Sequence, residues 1–289
     1  MIRSVCLKIA GHTLKVEGNT ASTFVNGYEG FVPFIVHDSK PEWRVCYDAD
    51  VTLWGDAEVI YESILAEING RCQFSVRNGV YQFVIRPDNS DIPLACLHYS
   101  EGSDFVEVSS CTDFSALRFS LWFAYGMLAA RAGVSPVHSS VVVRHGKAVL
   151  FLGESGTGKS THSKLWLENI EGTSLLNDDS PMLSVTDGVP YVHGSPWSGK
   201  TPCYVAYSFP VAAIVRLSQA PGNHIRRLHA VEALSAIQPS LPPALMHADL
   251  FTDLYLDIIS KTIKKVPFYH LQCLPDADAA RLCSSTIFQ

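Results

Sequence analysis

The C-terminal half of the chain contains the segment GESGTGKSTHSKLWLENIEGTSLLNDDSP, from Gly153 to Pro181, which indicates its fold more specifically than any other stretch. Its first eight residues satisfy G-x-x-x-x-G-K-[ST], the pattern of a phosphate-binding loop. The apolar segment AVLFLG leads into the loop, and the amphipathic segment KSTHSKLWLEN leaves it. The order therefore predicts a strand, a glycine-rich loop and a helix. Backbone N–H groups of the loop and the positive end of the helix dipole then favour a polyphosphate.

The loop pattern assigns roles to individual residues. Lys159 is predicted to reach the β- and γ-phosphates of a nucleotide, and the hydroxyl of Ser160 to bind Mg²⁺. The predicted nucleotide-binding residues are Gly153, Glu154, Ser155, Gly156, Thr157, Gly158, Lys159, Ser160 and Thr161. The alternative is a glycine turn that binds nothing. It is disfavoured, because a chance match to the pattern has a probability on the order of 1%. A dinucleotide-binding loop is excluded, because the glycines follow G-x-x-G-x-G and not G-x-G-x-x-G.

Two adjacent aspartates follow the loop closely. Asp178 comes 19 residues after Lys159, which leaves space for one helix, a turn at Glu171-Gly172 and a short strand. Because parallel strands end at the same edge of a sheet, we expect both carboxylates beside the loop. One carboxylate can hold Mg²⁺, and the other can accept the proton of an attacking hydroxyl. The presence of two aspartates, Asp178 and Asp179, favours phosphoryl transfer to an acceptor. The alternative is that both residues belong to a solvated turn.

The loop, the triplet Asn-Asp-Asp (residues 177–179) and the upstream sequence VHSSVVV (residues 137–143) resemble HPr kinase/phosphorylase. They more distantly resemble the ATP-dependent phosphoenolpyruvate carboxykinases. The resemblance covers about the last half of the chain, from residue 134. It implies an α/β P-loop domain of the HPr kinase/phosphoenolpyruvate carboxykinase type. It also implies an ATP- and Mg-dependent phosphotransferase acting on a hydroxyl, with GTP and pyrophosphate left open in place of ATP.

The same resemblance implies roles for four residues of this chain. Asp178 is implied as the general base that activates a serine hydroxyl, and Asp179 joins Ser160 at Mg²⁺, although the roles of the two aspartates could be exchanged. His138 is implied to lie near the transferred phosphate. A lone histidine is also common as a packed or surface residue, so that alternative stays open.

A second loop rich in small residues, HGSPWSGK, spans residues 193–200. It is similar to a Pro-Trp-Ser-Gly-Lys stretch in HPr-kinase-like proteins. Lys200 is a candidate catalytic cation that neutralises charge on the transferred phosphoryl group. Trp197 is a candidate for stacking on a base or lining the cleft. An ordinary turn with a buried tryptophan is the alternative for both.

The sequence offers four alternatives to the leading hypothesis. Within phosphoryl transfer, the alternatives are a small-molecule kinase and a carboxykinase-like enzyme. From a different class, the domain would bind nucleotide without turnover, as a sensor or scaffold. A G-domain switch is disfavoured, because the sequence has no Asn-Lys-x-Asp motif to recognise the base.

Residues 1–110 predict a β-rich α+β N-terminal domain. Hairpins are indicated by turns at Gly11 and Asn78-Gly79. The segment AEVIYESILAEING (residues 57–70) is predicted to be helical. No residue pattern in this region predicts a role for it.

Residues 111–289 are predicted to form the P-loop kinase-like domain. It opens with a connecting helix over about 112–132, capped near Thr112 or Asp113. A hairpin turning at His145-Gly146 delivers the strand that enters the loop. Downstream, helices are predicted near 230–238 and 244–263, a strand over 266–273 and a short helix from Pro275.

Composition limits the location and the partners. The net charge of −6 argues against nucleic-acid and anionic-membrane partners. Eight scattered cysteines without a Cys-x-x-Cys pair fit a reducing compartment. The most apolar helix candidate, residues 117–133, has only about a dozen residues between Arg118 and Arg131, fewer than the roughly 20 apolar residues that span a bilayer. We therefore expect a cytoplasmic protein whose partner is the phosphoacceptor, and the resemblance adds the expectation of a homo-oligomer.

Overall fold

The computed structural model describes residues 3–37, 39–199 and 201–288. The chain divides into two compact units. The first unit is Met1–Ala132 with Ala244–Thr252, and the second is Gly133–Pro243 with Asp253–Gln289. The predicted connecting helix thus groups with the first unit, although its sequence position suggested the second.

The first unit is built around a β-sheet. Its strands are β1 (Ser4–Ile9), β2 (His12–Glu17), β3 (Ile35–Val36), β4 (Trp43–Cys46), β5 (Glu58–Leu65), β6 (Gly70–Arg77), β7 (Val80–Pro87), β8 (Ala95–Ser100) and β9 (Phe105–Val108), in the sheet order β3-β1-β2-β4-β9-β8-β7-β6-β5. The predicted hairpin turns at Gly11 and at Asn78-Gly79 are confirmed. Asn78 and Gly79 both have positive φ, as a tight hairpin turn requires. The β-rich interpretation of this region therefore holds at the level of its strands.

The helix predicted over residues 57–70 is wrong. The structure has β5 there, followed by a short 3₁₀ turn, Ala66–Ile68. Val59, Ile60 and Tyr61 are β-branched or aromatic residues that fit a pleated surface, and β5 pairs along β6. The helix-forming Glu, Ala and Leu residues of the segment supply only a weak preference, which this pairing overrides.

Two helices belong to the first unit, α1 (Asn19–Gly27) and α2 (Phe114–Ala130). The predicted start of α2 is confirmed, because the Asp113 side chain accepts the N–H of Ala116 at 2.8 Å. Phe123 of α2 stacks on Phe83 of β7, which fixes the helix against the sheet. In the three described ranges of the chain, no helix has both the length and the apolar character needed to cross a bilayer.

The second unit combines a sheet with helices. Its strands are β10 (Val134–Pro136), β11 (Ser139–Arg144), β12 (Lys147–Leu152), β13 (Thr173–Asp179), β14 (Met182–Thr186), β15 (Val189–His193), β16 (Ser208–Gln219), β17 (His224–Arg227) and β18 (Phe268–Cys273). The remaining helices are α3 (Lys159–Asn169), α4 (Ala230–Ile237), α5 (Asp249–Ile263), which begins in the first unit, and α6 (Ala277–Ile287). The sheet order is β10-β14-β15-β16-β12-β11-β13, with β18 between β16 and β17. The predicted hairpin at His145-Gly146, the helix near 230–238 and the strand within 266–273 are confirmed. The helix predicted over 244–263 is shorter, because the extended backbone of Ala248 separates a 3₁₀ turn, Leu245–His247, from α5. The short helix predicted from Pro275 begins at Ala277.

Strand directions explain why one edge of this sheet collects functional side chains. β11 lies between β12 and β13 and is antiparallel to both, so β12 and β13 run in the same direction. β16 is parallel to β12 on the other side. The C-terminal ends of β12, β13 and β16 and the N-terminal start of β11 therefore meet at one edge.

Helices α3 and α6 pack on this sheet through a continuous apolar cluster. The buried residues of the cluster are Val142, Val149, Phe151, Trp166, Ile170, Ala213, Val215, Leu217, Leu271, Ala280 and Cys283. Within α3, the Trp166 Nε1–H donates to His162 Nε2 at 3.1 Å. This packing holds the start of α3 beside the end of β12, which is where the glycine loop lies.

Candidate functional site

The glycine loop has the backbone geometry of an anion site. It links β12 to α3, and Gly156 and Gly158 adopt φ values of +80° and +104°, a region that other residues rarely enter. Gly158 is the N-cap of α3 and has no side chain with which to cap it. The first N–H groups of a helix lack partners within the helix, so those of Lys159 and Ser160 suit a phosphate.

The side chain of Lys159 folds back onto the first residues of the glycine loop. Its Nζ donates to the carbonyl oxygens of Gly153 at 2.7 Å and of Glu154 at 3.3 Å. Burial lowers the pKa of Lys159, while the negative charges of Asp179 and Asp178 act in the opposite direction. The ammonium group is thus partly desolvated, and the charge of a bound polyphosphate would stabilise it.

The structure brings together three predicted residues at the end of β13. The Ser160 hydroxyl donates to Asp178 Oδ1 at 3.0 Å. Asp178 is buried, whereas Asp179 is half-buried. The aspartates therefore differ: Asp178 faces the helix that follows the loop, and Asp179 is the more accessible group.

His138 also lies at this edge. Its Nδ1 is 3.3 Å from Asp179 Oδ1, and its backbone N–H donates to Ser240 O. It precedes β11, whose first residue, Ser139, lies opposite Asp179 in the antiparallel pairing. The antiparallel direction of β11 thus places a histidine distant in sequence beside the second aspartate.

Asn177 holds the aspartate turn in place and had no role in the sequence interpretation. It is fully buried, and its Oδ1 accepts the backbone N–H groups of Asp179 at 3.1 Å and Ser180 at 2.9 Å. Its Nδ2 donates to Trp197 O at 3.2 Å and to Ser195 Oγ at 3.3 Å. The only sequence signal was an asparagine before the Asp pair, which is also common in ordinary turns.

The second loop packs against the same turn. The Gly199 N–H donates to Asp178 O at 2.9 Å, and a Cβ added to Gly199 would lie 2.8 Å from that oxygen. Trp197 is 2% exposed, so its ring packs inside the unit and does not line a cleft. This is the buried-tryptophan alternative. Lys200 lies outside the described residues, and its role stays a prediction.

A cavity of about 780 Å³ flanks the loop on the side of β16. Its charged and polar lining includes Glu154, Thr157, Arg216, Arg226, Glu232 and His270. A second cavity, of about 550 Å³, adjoins the start of α3 and is lined mainly by apolar groups such as Leu165, Leu217, Leu274 and Pro275. Sequence reasoning missed Arg216, although it is the one charged residue in the apolar run VAAIVRLSQ.

The oxygen donors at this edge fit Mg²⁺ bound together with phosphate. Within the described part of the chain, no three His, Cys, Asp or Glu side chains are grouped so that they alone hold a metal ion. Mg²⁺ is commonly held by one or two protein oxygens together with substrate phosphates and waters. The Ser160 hydroxyl and the Asp178 carboxylate supply such a pair.

Comparisons with known proteins leave the family open. No protein-family model and no curated protein matches the chain. Among solved structures, it is similar to the HPr(Ser) kinase/phosphatase from Coxiella burnetii, with 13% identity and a TM-score of 0.30, over 52% of this chain and 91% of that one. A TM-score this low carries no argument about fold or activity.

Proposed function

We propose that the second unit is a Mg²⁺-dependent phosphotransferase. It moves the γ-phosphoryl group of ATP to a hydroxyl of a protein, peptide or small molecule. The observation that carries the proposal is the 3.0 Å hydrogen bond from the Ser160 hydroxyl to Asp178 Oδ1. It joins the glycine loop to the aspartate pair at one point, which a functionless glycine turn does not require. The sequence resemblance to HPr kinases supports the same class.

The geometry favours exchanging the roles first given to the two aspartates. Asp178 is buried and bonded to Ser160, so these two residues would hold Mg²⁺. Bound there, the ion supplies positive charge to the phosphate oxygens. Asp179 is more exposed and lies against His138, so it is the better general base. His138 then acts as a positioning residue for the Asp179 carboxylate.

Side chains and backbone groups of this chain can perform the proton transfer and hold the phosphates during the reaction. Asp179 takes the proton of the acceptor hydroxyl while the oxygen of that hydroxyl forms a bond to the γ-phosphorus. The bond from that phosphorus to the β–γ bridging oxygen breaks, and the nucleoside diphosphate leaves with the electron pair. Lys159 and the N–H groups of the loop hold the β- and γ-phosphate oxygens in line with the attack.

A calorimetric titration with a non-hydrolysable ATP analogue in the presence of Mg²⁺ tests nucleotide binding. The wild type should bind, and Lys159→Met should lose most of that affinity. Lys164→Met is the matched control, since Lys164 is an exposed lysine on the same helix and pairs with Glu168. Equal affinities for the two variants, or no binding of millimolar analogue by the wild type, would refute the site. Binding without transfer to any acceptor tested would favour the sensor alternative.

A further inference from the structure

Arg216 stands next to the glycine loop on the neighbouring strand. In the parallel pairing of β12 with β16, Arg216 lies opposite Leu152, the residue directly before Gly153. Its side chain is 21% exposed and lines the cavity of about 780 Å³ beside loop residues 154–157. The strand register therefore places a cation at the edge of the phosphate loop.

An acidic residue of the loop itself contacts this arginine. Arg216 Nη2 lies 3.2 Å from Glu154 Oε1, and Nη1 donates to Ala236 O at 3.4 Å. The Glu154 side chain is 80% exposed, so the ion pair is solvated on one side and contributes little stability. A polyphosphate carries more charge than one carboxylate and offers oxygens that a guanidinium binds in pairs. Glu154 is thus an exchangeable partner for Arg216.

The surroundings keep the charge of Arg216 directed at the loop. Arg216 and Arg226 both lie opposite His270 in the register of β16, β18 and β17. Arg226 is paired with Glu232 of α4 at 2.8 Å. Burial lowers the pKa of His270, and the two arginines lower it further, so this histidine is neutral at pH 7. The positive charge of Arg216 also contributes to the lowered pKa of Lys159, so the two cations lie within electrostatic range of each other.

We propose that Arg216 is a second phosphate-binding cation, which Glu154 holds while the loop is empty and which contacts the terminal phosphate of a bound nucleoside triphosphate. The inference rests on the proposed function in one respect: the loop must bind nucleotide. It adds that the chain senses the third phosphate through Arg216, so that the triphosphate binds more tightly than the diphosphate. Lys159 and the loop N–H groups contact both nucleotides.

The test compares ADP with a non-hydrolysable ATP analogue in calorimetric titrations at constant Mg²⁺. Arg216→Met should weaken binding of the triphosphate analogue about 10- to 100-fold, the range for loss of a charge-assisted hydrogen bond. Its affinity for ADP should change less than about 3-fold. Arg281→Met is the control, because Arg281 is an exposed arginine of α6 paired with Asp278.

Glu154→Gln provides a second variant. Because the Glu154 side chain is exposed, this substitution removes no buried contact and should leave the fold unchanged. Removing the exposed competing carboxylate should tighten binding of the triphosphate analogue by up to about 5-fold, since exposed ion pairs contribute at most about 1 kcal/mol. Glu168→Gln, on the exposed side of α3, is its control.

The outcomes separate this inference from the proposed function. If Arg216→Met weakens the binding of ADP and of the triphosphate analogue equally, the inference is overturned, while the proposal that the loop binds phosphate stands. If Glu154→Gln binds the triphosphate analogue more weakly than the wild type does, the claim that Arg216 exchanges Glu154 for the terminal phosphate is overturned. A wild type that binds neither nucleotide refutes the proposed function and removes the basis of the inference.

Discussion

Asn177→Ala should weaken both the fold of the second unit and its site. The side chain is fully buried and bonds to the backbone of its own turn and of the second loop. A neutral hydrogen bond contributes about 1 kcal/mol net, and buried groups left without partners cost about 1–3 kcal/mol. Of the bonds lost, the three to the backbone of Asp179, Ser180 and Trp197 alone predict a destabilisation of about 3 kcal/mol.

Thermal unfolding measures the first effect. A destabilisation of about 3 kcal/mol corresponds to a fall in Tm of roughly 6–12 °C for a unit of this size. Asn169→Ala is the control: Asn169 is half-buried at the end of α3, and its side chain donates to Leu165 O. Its Tm should fall by no more than about 4 °C.

Nucleotide titration measures the second effect at a temperature where both variants are folded. Asn177→Ala should bind the ATP analogue with less benefit from Mg²⁺, because the Asp178–Asp179 turn has lost its support. Equal Tm values for Asn177→Ala and Asn169→Ala would refute the argument about stability. A normal Mg²⁺ effect in the folded Asn177→Ala variant would show that Asn177 does not position the aspartates.

Three further predictions concern single residues of the second unit. Burial lowers the pKa of His162 to about 4, so the unfolded chain takes up a proton more readily. Stability should fall by about 2 kcal/mol from pH 7.5 to pH 5, and His162→Gln should remove that loss in urea unfolding. Gly199→Ala should push its Cβ against Asp178 O and weaken Mg²⁺-dependent nucleotide binding, whereas Gly222→Ala, with open space at its Cβ, should bind normally. Burial lowers the pKa of Lys159 in the free protein, so nucleotide affinity should begin to fall, as the pH rises, at a pH below the ordinary 10.5. Lys159→Arg should give a flat profile over that range, since arginine stays charged.

Local chemistry made the loop and the hairpins predictable from sequence. The glycine loop, the turn at Asn78-Gly79 and the cap at Asp113 each depend on residues within a few positions of one another. The 19-residue spacing to Asp178 also limited where β13 could end. These features needed no knowledge of the neighbouring strands.

Contacts between distant segments were not predictable in the same way. The strand character of β5 depends on its pairing with β6, which outweighs the helix propensity of the segment. His138 reaches Asp179 because β11 is antiparallel to its neighbours. Asn177 and Arg216 gain their roles from the second loop and from the register of β16, neither of which a spacing in the sequence encodes.

The split of roles between the aspartates follows the same logic. Sequence order alone left Asp178 and Asp179 interchangeable. Burial and the hydrogen bond from Ser160 distinguish them in the structure. The proposal that Asp178 binds the metal and Asp179 accepts the proton therefore rests on geometry that no local pattern contains.

The most direct measurement is a calorimetric titration of the ATP analogue into wild type, Asp178→Asn and Asp179→Asn, each with and without Mg²⁺. We predict that Mg²⁺ tightens binding to the wild type and to Asp179→Asn by about 10-fold or more, and that Asp178→Asn loses this effect while still binding the analogue. An undiminished Mg²⁺ effect in Asp178→Asn would contradict the claim that the glycine loop and the aspartate pair form one phosphate site.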